Sequence, residues 1–299
     1  MNKTEFGKVS VGIDGSLDGE VALDWAARFA ERHDCDVYPI YAWDFPVGAI
    51  SPVPSSMALP DESTMIEAAR KAADESIARW RAGTEFNAQV HEPQVVYGRS
   101  GPALVEHSAG SDLLVVGSRG LGAVKGLILG SISAYVAAHS TCPVAIVPEE
   151  FGRRRVETIV VGHDGSKRAD SALEWVIDAY PGSTIDLVHV WHIPPVAEPF
   201  GMVSDYDIFQ ESAEALVANA LERVEQRVEE AGSKISGRAL VGDPRTELNR
   251  AASEADLLAI GVQGHHHLLR VFMGSTARAL VHHLSGPTMI VPINEHLDG

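Results

Sequence analysis

The sequence has too few cysteines for a disulfide-stabilised fold and no apolar run long enough to cross a membrane. Only two of its 299 residues are cysteines, Cys35 and Cys142, whereas a disulfide framework needs several pairs. We therefore expect two reduced thiols, as in proteins of a reducing compartment. No apolar segment approaches the roughly 18 residues that span a bilayer, and the N-terminus lacks the apolar core of a secretory signal. These absences predict a cytoplasmic protein.

Positive charge is also scarce. The chain carries 24 basic and 41 acidic residues, which gives a net charge of −17, and both halves share the acidic excess. A protein that binds nucleic acid presents a basic surface to the phosphate backbone. We therefore predict neither a nucleic-acid partner nor a membrane partner. An anionic ligand would have to be held by local backbone dipoles, because the field of the whole protein opposes it.

Several catalytic signatures are missing as well. The chain contains neither a Walker A sequence (GxxxxGK[ST]) nor a nucleophile elbow (GxSxG). No general base is paired with a nucleophile, and no lysine takes the Walker position beside a phosphoryl group. The segment GLGAVKG at 120–126 partly matches a dinucleotide fingerprint, but it follows the fourth predicted strand of its half, not the first. The sequence therefore does not predict fast catalysis.

The most informative stretch is rich in glycine and occurs twice. Residues 112–133 read DLLVVGSRGLGAVKGLILGSIS, and residues 256–277 read DLLAIGVQGHHHLLRVFMGSTA. Each begins with a short apolar strand, continues through a glycine loop and ends where a helix is predicted. Glycines let the backbone approach a ligand without a Cβ in the way, and the free N–H groups of a helix N-terminus attract anions. Two aligned copies favour a polyphosphate site in each half over a simple tight turn.

The glycine loops belong to a repeat that covers the whole chain. The Asp-Gly-Ser turn at Asp14 recurs at Asp164, 150 residues later, and the final strand of each half recurs at an offset of 144. Each half reads as strand, helix, strand, long loop, helix, strand, helix, strand, helix, strand. This alternation predicts an α/β fold with a parallel sheet and right-handed crossovers. The polar segment EEFGRRR at 149–155 predicts a linker between domains at 1–149 and 156–294.

These motifs resemble the universal stress proteins, and in particular the tandem two-domain type of mycobacteria and related actinobacteria. The resemblance rests on the Asp-Gly-Ser turns, the Gly-x2-Gly-x9-Gly-Ser loops and the PVAIVP-like final strands, and it covers nearly all of both halves. It implies, in each half, an open-twisted, Rossmann-like parallel sheet of five strands in the order 3-2-1-4-5, flanked by helices. It also implies binding of ATP together with Mg, an intramolecular pseudo-dimer and an unidentified regulatory protein partner, and it leaves a homodimer open.

The resemblance also implies a set of ligand contacts when its motifs are carried over by position. In the first half, Asp14 would lie near the ribose or the adenine edge, Ala42 would meet adenine through its backbone, and the ribose and phosphates would be held by Gly117, Gly120, Gly130, Ser131 and Ser133. The matching positions in the second half are Asp164, Val190, Gly261, Gly264, Gly274 and Ser275. In a sheet of order 3-2-1-4-5 the strands that end at Asp14 and Gly117 are neighbours at the switch point, where ligands bind in open α/β sheets.

The two predicted sites are not identical. Ala277 stands where the first half has Ser133, and Val262-Gln263 stands where it has Ser118-Arg119. We therefore expect the first site to bind more tightly. The run His265–His267 is either a solvated loop or a phosphate contact that strengthens when a histidine gains a proton.

The motifs together predict an ATP-binding stress or regulatory protein in which nucleotide occupancy is the signal. A transferase that uses a nucleotide, or a slow ATPase of a related α/β fold, is the first alternative, and a strongly perturbed carboxylate in the pocket would favour it. A scaffold with empty glycine loops is the second. No catalytic residue is predicted, and at most weak ATP hydrolysis is expected.

Overall fold

The structure is a computed structural model that describes residues 4–44, 61–120, 129–151, 154–192, 206–262 and 286–293. The chain divides into two compact units, Glu5–Arg153 (the first unit) and Arg154–Gly299 together with Met1–Thr4 (the second unit). Among the helices of the described segments, none combines the length and the apolar character that a membrane crossing requires.

Strands and helices alternate along the first unit. In chain order its elements are β1 Lys8–Ile13, α1 Leu17–His33, β2 Asp36–Trp43, α2 Glu62–Gly83, β3 Gln94–Tyr97, α3 Ser100–His107, β4 Leu113–Gly117, α4 Ser131–His139 and β5 Val144–Val147. All pairs are parallel, and the strand order is β3-β2-β1-β4-β5. This is the predicted order 3-2-1-4-5.

The second unit repeats this arrangement. Its described elements are β6 Thr158–Gly162, α5 Lys167–Ala179, β7 Thr184–Trp191, α6 Tyr206–Glu230, β8 Lys234–Val241, α7 Pro244–Ala252, β9 Leu257–Val262 and β10 Thr288–Pro292. Its strands are also parallel, in the order β8-β7-β6-β9-β10. The predicted fold class, a helix-flanked parallel five-stranded sheet in each half, is confirmed.

Burial on both faces explains why the central strands are continuously apolar. Every residue of β4 (LLVVG) and of β5 (VAIV) is buried. A parallel sheet carries helices on both faces, so its strands lose the alternation of apolar and polar residues that a half-exposed strand shows. Helix α1 covers one face of the first sheet with Leu23, Trp25 and Phe29, each 4% exposed or less. The core thus lies between the sheet and its helices. The carboxyl ends of the strands lie at the edge of this core, where a site can form.

Candidate functional site

A cavity of about 610 Å³ lies at the carboxyl ends of β1, β2 and β4 in the first unit. Its volume falls within the range of about 300–1,000 Å³ that is usual for small-molecule sites. It forms where β1 and β4 lie side by side, which is the switch point of the sheet. All seven residues predicted for the first site line it: Asp14, Ala42, Gly117, Gly120, Gly130, Ser131 and Ser133.

The turn after β1 fixes the carboxylate of Asp14 in this cavity. Its Oδ1 accepts hydrogen bonds from the backbone N–H of Ser16 at 3.0 Å and from the Ser16 hydroxyl at 2.5 Å. Gly15 has a φ of +82°, a conformation that glycine adopts without steric cost. The Ser16 Oγ then caps α1 by accepting from the N–H of Gly19 at 3.1 Å. The Asp-Gly-Ser sequence therefore acts both as a helix cap and as the support of a pocket carboxylate.

Two glycines of the first site have a packing reason that does not involve a ligand. A Cβ on Gly117 would lie 2.7 Å from the Cβ of Asp18 and 2.8 Å from its carbonyl oxygen, because the end of β4 touches the start of α1. A Cβ on Gly120 would collide with Oδ2 of Asp14. Backbone contacts therefore require a glycine at 117, and a side chain at 120 would displace the carboxylate of Asp14, so a ligand is not the sole reason for either glycine.

Gly130 is different because nothing in the described part of its unit requires a glycine there. Its φ of −75° and ψ of 156° are open to any residue. The nearest atoms to an added Cβ would be the Ser118 carbonyl oxygen at 3.4 Å and the Arg119 Cα at 3.5 Å, which are ordinary contacts. Gly130 also lines the cavity. A side chain at this position would therefore take up space in the cavity.

Gly130 is the N-cap of α4, whose first turn faces the cavity. The first intrahelical bond runs from the N–H of Ala134 to the carbonyl of Gly130 at 3.0 Å. The N–H groups of Ser131, Ile132 and Ser133 consequently have no carbonyl partner within the helix, and among the described residues no side chain caps this end. By contrast, Ser16 caps α1. An uncapped N-terminus combines free donors with the positive end of the helix dipole, which suits an anion.

The hydroxyl of Ser133 has a structural role in addition to its place in the cavity wall. It donates to the carbonyl oxygen of Gly117 at 2.7 Å, and the residue is 4% exposed. Its proton is therefore committed to the backbone at the end of β4. Ser133 joins α4 to β4, and its contribution to an anion would come from the backbone N–H.

The charged groups of the cavity have both signs. Of the described residues that line it, Arg119 is positive, and Asp14 and Asp44 are negative. Tyr41 lies on the same wall, and burial together with the negative charge of Asp14 raises the pKa of its phenol above the ordinary value. Backbone donors, one guanidinium and two carboxylates can hold an anion that brings a cation with it.

Three predicted residues of the second site take positions that match the first. Asp164 follows β6, and its carboxylate accepts from the N–H of Ser166 at 3.0 Å and from the Ser166 hydroxyl. Val190 lies in β7 next to Trp191, as Ala42 lies next to Trp43. A Cβ on Gly261 would collide with the carbonyl group of Arg168, as one on Gly117 would with Asp18. The other predicted residues, Gly264, Gly274 and Ser275, lie outside the described residues.

The carboxylate of Asp164 is held in its charged form. Burial alone would raise its pKa, but hydrogen bonds from the side chain and backbone of Ser166 outweigh this effect. The positive charge of Arg168 acts in the same direction. The pKa of Asp164 therefore lies below its ordinary value.

A buried histidine in the second unit was missed by the sequence analysis. His163, which is 3% exposed, takes the place that Ile13 has in the first unit. Its Nε2 lies 3.0 Å from Oδ1 of Asp170, and its Nδ1 accepts from the N–H of Gly165 at 3.2 Å. Nε2 therefore carries the proton and donates it to Asp170. The change from VGID to VGHD between the two repeats was the signal that could have revealed it.

The fold and this site define an α/β protein with a cavity at the switch point of a parallel sheet. A model of the universal stress protein family matches residues 5–148 and 155–292, so the chain belongs to that family. The predicted resemblance is confirmed, in both halves of the chain.

Relatives and solved structures match the chain over most of its length. Universal stress protein Rv2005c of Mycobacterium tuberculosis is 26% identical over 292 residues, covering 94% of this chain and 96% of the relative. Universal stress protein Rv1996 of the same species is 29% identical over 315 residues, covering 97% of this chain and 96% of the relative. The crystal structure of a universal stress protein from Archaeoglobus fulgidus has 18% identity and a TM-score of 0.64, and covers 95% of this chain and 98% of its own. This last similarity supports the fold.

Proposed function

We propose that the first unit binds ATP and that the protein is a stress regulator whose signal is nucleotide occupancy. The observation that carries the proposal is the uncapped N-terminus of α4, which opens into a cavity of about 610 Å³ at the switch point of the sheet. The three residues whose N–H groups have no carbonyl partner within α4, Ser131, Ile132 and Ser133, all line that cavity. Such a terminus suits phosphate without help from a strongly basic surface.

The charges of the cavity support a nucleotide that enters as its magnesium complex. Asp14 and Asp44 would repel the phosphates of free ATP, and Arg119 offsets only part of that repulsion. Mg²⁺ is usually held by one or two carboxylates together with substrate phosphates. In the proposed arrangement the phosphates meet α4 and Arg119, and Mg²⁺ screens them from the carboxylates.

The remaining wall suits the nucleoside. Ala42, the second-last residue of β2, has a backbone that can meet the edge of a base, and the cavity is also lined by the apolar side chains of Leu104, Val116 and Leu129. Asp14 lines the same cavity, and in the proposed arrangement its carboxylate lies near the ribose. An apolar wall with a few fixed polar groups is the usual character of a small-molecule site.

The experiment is to incubate purified protein with MgATP, desalt it, denature it and identify the released nucleotide by mass spectrometry. Gly130→Glu should release less nucleotide than wild type while keeping a normal circular dichroism spectrum, because its side chain brings bulk and like charge to the phosphate position. Gly83→Glu is the matched control, since a side chain at Gly83 meets nothing within 4 Å and the residue lies at the end of α2, away from the cavity. Equal nucleotide content in all three proteins would refute the assignment.

A further inference from the structure

The glycine loop of the first unit is tied to α1 by a buried carboxylate. Asp18, in the first turn of α1, is 7% exposed. Its Oδ1 accepts from the Ser118 hydroxyl at 3.1 Å and from the backbone N–H of Arg119 at 3.0 Å. We call this group of Asp18, Ser118 and Arg119 the Asp18 latch. The nearby N-terminus of α1 also favours the negative charge of Asp18.

Ser118 connects the latch to the wall of the cavity. Its N–H donates to the carbonyl of Val147 at 3.0 Å, and its own carbonyl accepts from the N–H of Gly130 at 2.7 Å. Both ends of the glycine loop are therefore held at Ser118. Arg119 and Gly130 line the cavity, so the latch holds the backbone from which the Arg119 side chain extends and to which the N-cap of α4 is bonded.

Electrostatic attraction does not explain a carboxylate at this place. Asp18 touches Gly117, which lines the cavity, so its charge would repel a bound phosphate. A buried charge is tolerated when hydrogen bonds satisfy it, and the loop supplies two. The geometry therefore favours a role in fixing the start of the glycine loop at Ser118 and Arg119 over a role in attracting or repelling the ligand.

We propose that Asp18 is a positioning residue of the first site, which holds the start of the glycine loop in the arrangement that receives phosphate. The proposal rests on the nucleotide function given above. A loop that is ordered before binding does not lose its conformational freedom at the moment of binding, and this raises affinity. Asp18 acts through Ser118 and Arg119.

The second unit offers a natural comparison because it lacks both halves of the latch. Arg168 stands at the position of Asp18, and Val262 stands at the position of Ser118. A guanidinium donates hydrogen bonds and accepts none, and valine has no hydroxyl. The latch is therefore specific to the first unit, which is consistent with the expected difference in strength between the two sites.

The test compares Asp18→Ala with Asp18→Asn in a Gly274→Glu background, which disables the predicted second site. Calorimetry with MgATP measures affinity. Apparent affinity scales with the fraction of ligand-free molecules that are in the binding arrangement. If Asp18→Ala lowers that fraction to about a tenth, binding of MgATP should weaken about tenfold. Asp18→Asn keeps an acceptor oxygen and removes the repulsive charge, so it should bind at least as tightly as the Asp18 parent. A role through charge alone would instead make both variants bind more tightly, and that result would refute the latch.

Hydrogen exchange of the ligand-free protein separates this proposal from the nucleotide function. Asp18→Ala should speed exchange in the peptide that contains Arg119, Asp18→Asn should do so far less, and the amides of β1 and β4 should stay protected in both. If the parent binds no MgATP but exchange changes in this pattern, the nucleotide function is wrong and the latch is supported. Unchanged exchange at Arg119 in Asp18→Ala would refute the latch, whatever the nucleotide result.

Discussion

Substitution by alanine should affect different properties at Gly117 and Gly130: fold stability at the first and ligand binding at the second. Both belong to one glycine motif, yet a Cβ on Gly117 would lie 2.7 Å from the Cβ of Asp18 and 2.8 Å from its carbonyl oxygen. The nearest atom to a Cβ on Gly130 would be 3.4 Å away. We expect Gly117→Ala to destabilise the fold and Gly130→Ala to impair binding.

The magnitudes follow from these contacts. Overpacking against backbone atoms costs about 1–3 kcal/mol, and an urea m-value of about 2 kcal/mol/M converts a loss of 2 kcal/mol into a midpoint lower by roughly 1 M. Gly130→Ala changes an N-cap at an allowed φ and should cost at most about 1 kcal/mol. Its methyl group would push a phosphate away from a helix donor. A lost hydrogen bond to a charged group is worth about 1.5–3 kcal/mol, or about tenfold to a hundredfold in affinity.

The assay is urea denaturation followed by far-UV circular dichroism, with MgATP calorimetry on the same preparations. Gly261→Ala serves as the matched control in the second unit, because its Cβ would collide with the carbonyl group of Arg168 and should lower the stability of that unit. The reasoning is refuted if Gly117→Ala is as stable as wild type, or if Gly130→Ala loses as much stability as Gly117→Ala.

Three further outcomes are expected. Millimolar MgATP should raise the melting temperature, since a ligand at about 100 times its Kd adds about 2.7 kcal/mol; an unmoved midpoint would count against binding. Asp178→Asn should be destabilising near pH 7: burial alone raises the pKa of Asp178, but hydrogen bonds from Arg227 and Thr4 outweigh it and keep the pKa below the ordinary 3.8. This stabilisation is present above pH 3.8, the ordinary pKa, and is lost as the pH falls through the lower pKa that Asp178 has in the folded protein. The urea midpoints of variant and wild type should therefore converge in acid. A gap between the midpoints that stays constant with pH would contradict the assignment. Calorimetry on Gly130→Glu and Gly274→Glu should find the first site tighter at pH 8, and a phosphate contact by His265–His267 should make the second tighten more at about pH 6; equal affinities at pH 8 would oppose this.

The fold was predictable because its signals are local and occur twice. The apolar run at β4, the turn after it and the start of α4 follow from short patterns, and the second copy confirmed the interpretation. Helix boundaries are harder to predict: α3 spans Ser100–His107 and begins two residues before Pro102. A proline does not mark the first residue of a helix, because it is tolerated throughout the first turn, where its missing N–H has no partner to lose.

The roles of individual site residues were harder to predict because they depend on contacts between distant parts of the chain. Asp18 meets Ser118 across 100 positions, and no periodic pattern reports that contact. For the same reason the sequence could not separate Gly117, which packing requires, from Gly130, for which no contact with the described residues requires a glycine. The difference between Asp18 and Arg168 in the two repeats was a visible signal, but its meaning depends on knowing that α1 touches the end of β4.

Some expectations from the sequence stay predictions. They are the intramolecular pseudo-dimer, the regulatory protein partner, the cytoplasmic location and the presence of Mg with ATP. The phosphate contacts of the second site at Gly264, Gly274 and Ser275 also stay predictions, because these residues lie outside the described part of the chain.

The most direct test of the central claim is an amide NMR titration of the full chain with MgATP. The N–H groups of Ser131, Ile132 and Ser133 should show the largest shifts and move downfield, because each has no carbonyl partner within α4 and would acquire a phosphate oxygen. The N–H of Gly19, which already donates to Ser16 Oγ at 3.1 Å, should move little. Saturating MgATP that leaves the three α4 amides unshifted would contradict the claim that this helix N-terminus binds the nucleotide.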